Sequence, residues 1–413
     1  PWRMSPSRHR PESRRIANSP KRIELILSDQ IYIAKANLPA ALRNRLTRLA
    51  ALQNPEFYKA QSMRLPTWGK PRIISCAEDH PQHLALPRGC YEDIQSLLND
   101  LNIEIDTRDE RICGESLDLE FQGKLRAEQN TAARKLLAHD TGVLSATTAF
   151  GKTVVAAWMI AQRGVNTLVL VHRRQLLDQW VDRLSGFLGI SPKQIGRLGG
   201  GRRQLTGQLD VAIIQSLVRK GVVNDCVADY GQLIVDECHH LSAHSFELVA
   251  RRAKARYFLG LSATVTRKDG HHPIIFMQCG PVRHNVDAKA EAVARPFEHT
   301  VIVRPTGFRP VSESDPDQRI QFQNLYRELI ADSDRNGLIC EDVIRGVREG
   351  RSPLVLTERR DHLETLAARL TSDVRHVIVL QGDTGAKKSR EIADQLANIA
   401  STEERVLLAT GKY

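Results

Sequence analysis

Beyond residue 140, short apolar runs alternate with longer segments whose apolar positions recur every three or four residues. GVLSA, TLVLV, VAIIQ, QLIVDE and YFLGLSAT are β-branched or Leu-rich runs of strand length, and KTVVAAWMIAQ and RRQLLDQWVDRLSGFL between them carry helical spacing. Strands with no polar face, separated by amphipathic helices, predict a parallel sheet covered on both sides. SESDPDQ, near 312–318, has linker composition; after it PLVLTE, HVIVLQ and RVLLAT repeat the strand style, so a second α/β domain is expected. Upstream, IELIL and IYIA read as strands and ALRNRLTRLAAL as a helix, while the acidic YEDIQSLLNDLNIEIDTRDE is expected to be a loop-rich connection. The first residues are rich in Arg, Ser and Pro and read as a flexible basic tail. The predicted organisation is therefore a tail over 1–22, a small α+β domain over 23–115, and α/β domains over 116–305 and 306–413.

A chain of 413 residues exceeds one ordinary core, in keeping with several domains. Its net charge of +11 favours a polyanionic partner, nucleic acid first, although a diffusely basic soluble enzyme has the same balance. The seven cysteines are odd in number and never in C-x-x-C spacing, which argues against a disulfide framework or zinc ribbon and suits a reducing cytoplasm. No apolar run is long enough to span a bilayer and the basic start lacks the core of a signal peptide, so no membrane association is expected. Pro1 and the terminal VLLATGKY read as cuts within a longer protein.

ATTAFGKT, Ala146 to Thr153, falls between a predicted strand and a predicted helix, where a phosphate-binding loop must sit. There Gly151 allows close approach, Lys152 pairs with the β- and γ-phosphates, the Thr153 hydroxyl can ligate Mg²⁺, and backbone N–H groups converge on phosphate oxygens. Ala146 and Ala149 depart from the glycines of the common patterns, and if position 149 requires a positive φ, alanine strains it by about 1 kcal/mol or more. QLIVDECHH then ends a strand in Asp236 and Glu237, one carboxylate for Mg²⁺ and one to orient or deprotonate the attacking water. A metal site built from Cys238, His239, His240 and His244 is the competing idea; adjacent residues at a strand end point apart, and no second ligand pair lies at zinc spacing. In RLPTWGKPRIISC, Trp68 among Arg64, Lys70 and Arg72 is compatible with stacking on a base or with burial in a turn.

With D-E-C-H in place, residues from about 125 onward resemble the superfamily 2 helicases and translocases of the DExH type. LRAEQ is similar to the adenine-reading segment, implying that Arg126 and Gln129 join Thr148, Ala149, Phe150, Gly151, Lys152 and Thr153 around ATP. The resemblance implies catalytic roles for Lys152, Asp236 and Glu237, Mg²⁺ on Thr153 and Asp236, and coupling of hydrolysis to movement through His239, Ser262 and Thr264. LVLVHRRQLLDQW, VAIIQSL and VLLATGKY are similar to strand-contacting motifs and imply nucleic-acid contacts by Arg173, Arg174, Gln215, Ser216, Thr410 and Gly411. PLVLTERRDHLETLAARL is similar to motif IV. Arg267, in Arg267-Lys268-Asp269, stands where XPB-type helicases carry Arg-Glu-Asp, with the middle charge reversed, and the resemblance implies a nucleic-acid contact for it too. GLSAT-x-x-R-x-DG and HRRQLLDQW resemble the XPB-like and restriction-motor branch, which makes DNA the expected track.

The implied fold is a tandem of RecA-like P-loop domains behind a small α+β domain, with the second RecA-like domain incomplete because the chain stops before motif VI. The implied function is an ATP-dependent DNA helicase or translocase. The alternative is a nucleotide-gated DNA clamp with little hydrolysis, on two grounds: Ala149 in the phosphate loop, and the absent motif VI, whose arginines commonly contribute 10³-fold or more by order of magnitude. NPEFYKAQSMRLPTWGKPR and HLALPRGC also resemble the region ahead of the helicase in primase-helicase proteins of conflict systems, implying a fused or partner primase or nuclease.

Overall fold

The computed structural model describes residues 18–239, 243–264, 270, 272–286, 300–310, 318–381, 386–400 and 402–411. It divides into two compact units, with the boundary after residue 296.

The larger unit is built on an eight-stranded sheet in the order 202–204, 196–199, 209–213, 167–171, 232–235, 257–262, 141–145, 282–285. All neighbours are parallel except the hairpin formed by Gly196–Gly199 and Arg202–Gln204. The apolar runs predicted as strands supply both faces because successive side chains alternate. Leu144, Val169, Val171, Val211, Ile234, Leu259 and Leu261 pack against helices Lys152–Arg163 and Arg174–Leu188. Val143, Leu168, Leu170, Ala212, Leu233, Val235 and Phe258 face the other way, toward Ala243–Arg252 and His272–Cys279. The α/β expectation therefore holds strand by strand, with one local difference. VAIIQ ends as a strand at Ile213, and Ile214–Leu217 turns into a short helix.

A second sheet in the same unit has the order 78–79, 83–86, 31–34, 22–27, 104–109. Here the expected loop is replaced by Tyr91–Asp100, a helix, and Glu104–Asp109, an edge strand parallel to Arg22–Leu27. Ile94 and Leu98 lie four residues apart on one buried face, and Glu92 and Asp93 favour the positive end of the helix dipole, which explains the helix. This small sheet is packed onto the large one: Ile274 lies within its apolar core. Buried Arg88 donates to the carbonyls of Ala250 (3.1 Å) and Ala255 (2.9 Å) and to that of Ala253, and also to Asp29 O (2.9 Å). Ala250 lies in the last turn of helix Ala243–Arg252 and Ala253 and Ala255 just beyond it, so one guanidinium gathers the carbonyls at the helix end and joins the two sheets.

The smaller unit carries a parallel sheet in the order 354–357, 405–410, 376–380, with helix Arg360–Leu370 covering Val406 and Leu408 and helix Ser333–Arg348 alongside. All three strands lie where the apolar pattern predicts them. The SESDPDQ linker falls almost entirely outside the described residues, as do residues 1–17 of the basic tail. Among the described residues no helix is long and apolar enough to cross a membrane, and all seven cysteines are free thiols.

Candidate functional site

In a parallel sheet the turns after the strands gather along one edge, and ligands bind there. Strand Thr141–Ser145 leads into a 3-10 turn, Thr148–Phe150, and then helix Lys152–Arg163. Gly151 joins the two with φ +89°, a left-handed conformation suited to glycine, and a Cβ there would meet Gln129 Nε2 at 2.6 Å. Ala149 is not among the residues of positive φ, so the strain expected there is absent. Its 3-10 turn needs no glycine. Ala146 is buried in the apolar core, and its N–H donates to Ser262 O at 2.9 Å, which lets a methyl group stand where glycine is common.

Lys152 and the acidic couple meet. Lys152 Nζ lies 3.1 Å from Glu237 Oε1 and donates to Ala146 O at 3.2 Å, and its side chain is 6% exposed. Glu237 has φ +45°, a left-handed backbone that costs a non-glycine residue about 1 kcal/mol or more. Hydrogen bonds from Asp236 N to Leu170 O (2.9 Å) and from Cys238 N to Leu261 O (3.0 Å) stitch both sides of that turn to neighbouring strands. The turn aims the carboxylate back over the phosphate loop. Its second oxygen, Oε2, is 3.2 Å from His239 Nδ1 and accepts from Ala263 N at 3.3 Å. His239 Nδ1 also lies 2.8 Å from Ser262 Oγ, which bonds in turn to Thr264 O. Lys152, Glu237, His239, Ser262 and Thr264 thus form one continuous polar chain.

Asp236 is buried, and burial, reinforced by the nearby Glu237 charge, pushes its carboxyl above the usual range while Trp180 and Lys152 pull it back. Trp180 Nε1 donates to Asp236 Oδ2 at 2.7 Å. Sequence reasoning missed this partner; its only trace is the W of HRRQLLDQW. Trp180, Gln179 and Arg183 line a cleft of about 130 Å³ together with Lys152, Thr153, Asp236 and Glu237. Arg183 Nη1 donates to Thr153 Oγ1 at 3.4 Å. An ammonium, a hydroxyl and two carboxylates in one cleft fit a triphosphate with Mg²⁺, whose preference is for hard oxygen ligands supplemented by substrate phosphates. Among the described residues no group of three or more His, Cys, Asp or Glu side chains is arranged to hold a metal, so the zinc alternative gains nothing. His240 and the side chain of His244 lie outside the described residues.

Gln129 braces the phosphate loop. Its amide accepts from Arg126 N (3.0 Å) and donates to Phe150 O (2.7 Å), and Arg126 Nη2 reaches the same carbonyl at 2.5 Å. Buried Phe150 anchors that carbonyl from below. Of Thr148 only the backbone is described.

A groove of about 480 Å³ runs along the same sheet edge, lined by Gly199, Gly200, Gly201, Arg202, Arg203, Gln215, Ser216 and Arg219. Gln215 and Ser216 were expected here; the arginines were not, though GGGRRQ carried the signal. Arg174 Cδ lies 2.9 Å from where a Cβ on Gly200 would stand, so this left-handed glycine (φ +61°) lets Arg174 join the groove, and exposed Arg173 precedes it. In the smaller unit Thr410 ends strand Arg405–Thr410 opposite Thr357, and Gly411 N donates to Thr357 O at 3.3 Å, which places both expected residues at the carboxyl edge of that sheet. Arg267 lies outside the described residues.

Sheet order and phosphate loop define a RecA-like P-loop core. Residues 122–267 match the family described as "Type III restriction enzyme, res subunit". The "DNA 3'-5' helicase XPB" of Kineococcus radiotolerans is 29% identical over 68% of this chain and 50% of its own length. The "DNA 3'-5' translocase XPB2" of Sulfurisphaera tokodaii is 31% identical over 38% of this chain and 35% of its own. The crystal structure of T4 UvsW superposes with a TM-score of 0.51, at 14% identity, over 95% of this chain and 81% of that one, a likeness of fold alone. These matches make the chain similar to the superfamily 2 helicases of the XPB-like branch. It spans half or less of the length of these two curated relatives.

Proposed function

We propose that this chain is the motor core of an ATP-dependent DNA translocase or helicase. The observation that carries the reading is the 3.1 Å approach of Lys152 Nζ to Glu237 Oε1 in a cleft shared with Thr153 and Asp236. Lys152 leaves its carboxylate partner for the phosphates of a bound triphosphate, and Glu237, released from the ion pair, takes a proton from the attacking water. Thr153 and Asp236 would hold Mg²⁺, which supplies neutralisation of phosphate charge. His239 and Ser262 carry the change at Glu237 to the segment of Thr264, the route by which hydrolysis is coupled to movement. Arg173, Arg174, Gln215 and Ser216, with Arg202, Arg203 and Arg219, form the strand-facing side, while Thr410 and Gly411 serve the smaller unit. Contacts of this kind are to phosphates, hence weakly dependent on sequence and strongly on salt. XPB-named relatives support DNA as the track.

Glu237→Gln tests it: DNA-stimulated ATP turnover falls by about 10²–10⁴-fold while nucleotide binding, measured by fluorescent-analogue titration, is retained. Normal turnover in that variant removes Glu237 from its role. The clamp alternative loses one of its two grounds, since Ala149 is unstrained.

A further inference from the structure

A loop on the smaller sheet's domain has the opposite character to the buried cleft. Helix Pro55–Ser62 and the two-stranded ribbon of Ala51–Gln53 with Ile73–Ser75 bracket it. At its tip Trp68 is 95% exposed, against 2% for Trp180. Met63, Leu65 and Ile73 are exposed beside it. An indole held wholly in water forfeits the burial that makes tryptophan favourable in a fold, so a position like this calls for an external partner.

The loop is nevertheless well held. Asn54 N donates to Arg72 O (3.0 Å) and Asn54 Nδ2 to Pro71 O (2.8 Å), tying the loop's end to the helix start. Leu65 N reaches Ala60 O at 2.8 Å, and Lys70 N closes a turn on Thr67 O at 3.1 Å. Pro66 and Pro71 restrict the chain on either side of Trp68. The ring is presented on a preorganised support, which lowers the entropy lost on binding.

Charge selects the partner. Over 54–73 the cations are Lys59, Arg64, Lys70 and Arg72, and Glu56 is the only acid. None of the four cations forms an ion pair among the described residues. Arg72 lies over the Phe57 ring at 5.5 Å. The core of a protein interface is depleted in charge, whereas a nucleic-acid strand takes cations at its phosphates and an aromatic face at its bases. The location agrees. A Cβ on Gly270 would meet Pro55 Cγ at 2.7 Å, so the helix that carries the loop is rooted just ahead of helix His272–Cys279. Gly280, past the far end of that helix, approaches Thr141 at the amino end of its strand, which leaves Gly270 toward the carboxyl edge, where the strand-facing groove lies.

We infer that the Met63–Ile73 loop binds an unpaired nucleobase, with Trp68 stacked on the base and Arg64 and Lys70 on the flanking phosphates. This rests on the proposed nucleic-acid motor and adds to it a contact specific for single-stranded or frayed ends. The test compares the 413-residue protein with Trp68→Ala and Trp68→Phe, titrating labelled oligothymidylate, oligouridylate and blunt duplex DNA at several salt concentrations. Trp68→Ala is expected to weaken single-strand binding about tenfold on whichever backbone the protein prefers, and Trp68→Phe to stay within about threefold of wild type. The salt slope is expected to be unchanged, because no phosphate contact is lost, and blunt-duplex affinity to be unchanged too. An exposed ring leaves the thermal midpoint alone, which checks folding. Wild-type single-strand affinity in Trp68→Ala overturns the inference and leaves the motor standing. A wild-type protein that binds no nucleic acid removes the motor reading and this inference with it.

Discussion

The nucleotide cleft and the basic groove lie on the same edge of one sheet, yet they are built in opposite ways. In the cleft every working side chain has a protein partner: Lys152 has Glu237, Asp236 has Trp180, and His239 has both Glu237 and Ser262. The groove presents exposed arginines, Arg202, Arg203 and Arg219, on two hairpins. Chemistry needs a few groups fixed to a fraction of an ångström, whereas a moving strand needs many weak, interchangeable phosphate contacts. Single substitutions should therefore be severe in the cleft and mild in the groove.

The largest effect is expected at the centre of the cleft. Lys152→Ala removes the ammonium from the phosphates and should lower single-turnover ATP hydrolysis by about 10³-fold or more. Next is Trp180→Phe, which keeps the packing but deletes the indole N–H that holds Asp236. It should raise the Mg²⁺ concentration required for half-maximal turnover by about 10- to 100-fold, the usual cost of losing a ligand's supporting hydrogen bond. An unchanged Mg²⁺ requirement would mean that Asp236 needs no such support, and the contrast with the groove would weaken.

In the groove, Arg203→Ala should reduce DNA affinity only a few-fold, equally on unrelated sequences, and make the log affinity against log salt slope shallower by about one. A loss confined to one sequence would instead make Arg203 a base reader. The smallest effect is expected at a residue that belongs to neither site. In the smaller unit, buried His362 is held between Thr357 Oγ1 (3.1 Å) and Asn336 Oδ1 (3.0 Å), and burial lowers its pKa. Its folded pKa lies below the unfolded value of roughly 6.5, so its stability is fully present above that pH and is lost as the pH falls through it toward the folded pKa. Thermal melts of the protein should show a lower midpoint just below that pH, and His362→Gln should blunt the drop.

Local order was open to reading in the chain because strand and helix are written in spacings of two and of three to four residues, and a strand-to-helix turn marks its own chemistry. The phosphate loop, the Asp236-Glu237 strand end and the parallel sheet were legible for that reason. Glu104–Asp109 was not: its sequence, EIDTRD, has no apolar stripe, and it is a strand only because Arg22–Leu27 offers it an edge. Tertiary structure alone decided that Glu237 turns back on Lys152, that Trp180 reaches Asp236 across 56 positions, and that Gln129 braces Phe150. It also decided that Ala149 is unstrained and that Trp68 stands in solvent. Such contacts depend on strand order and on how separate elements pack, and neither is encoded in the few neighbouring residues that set local conformation.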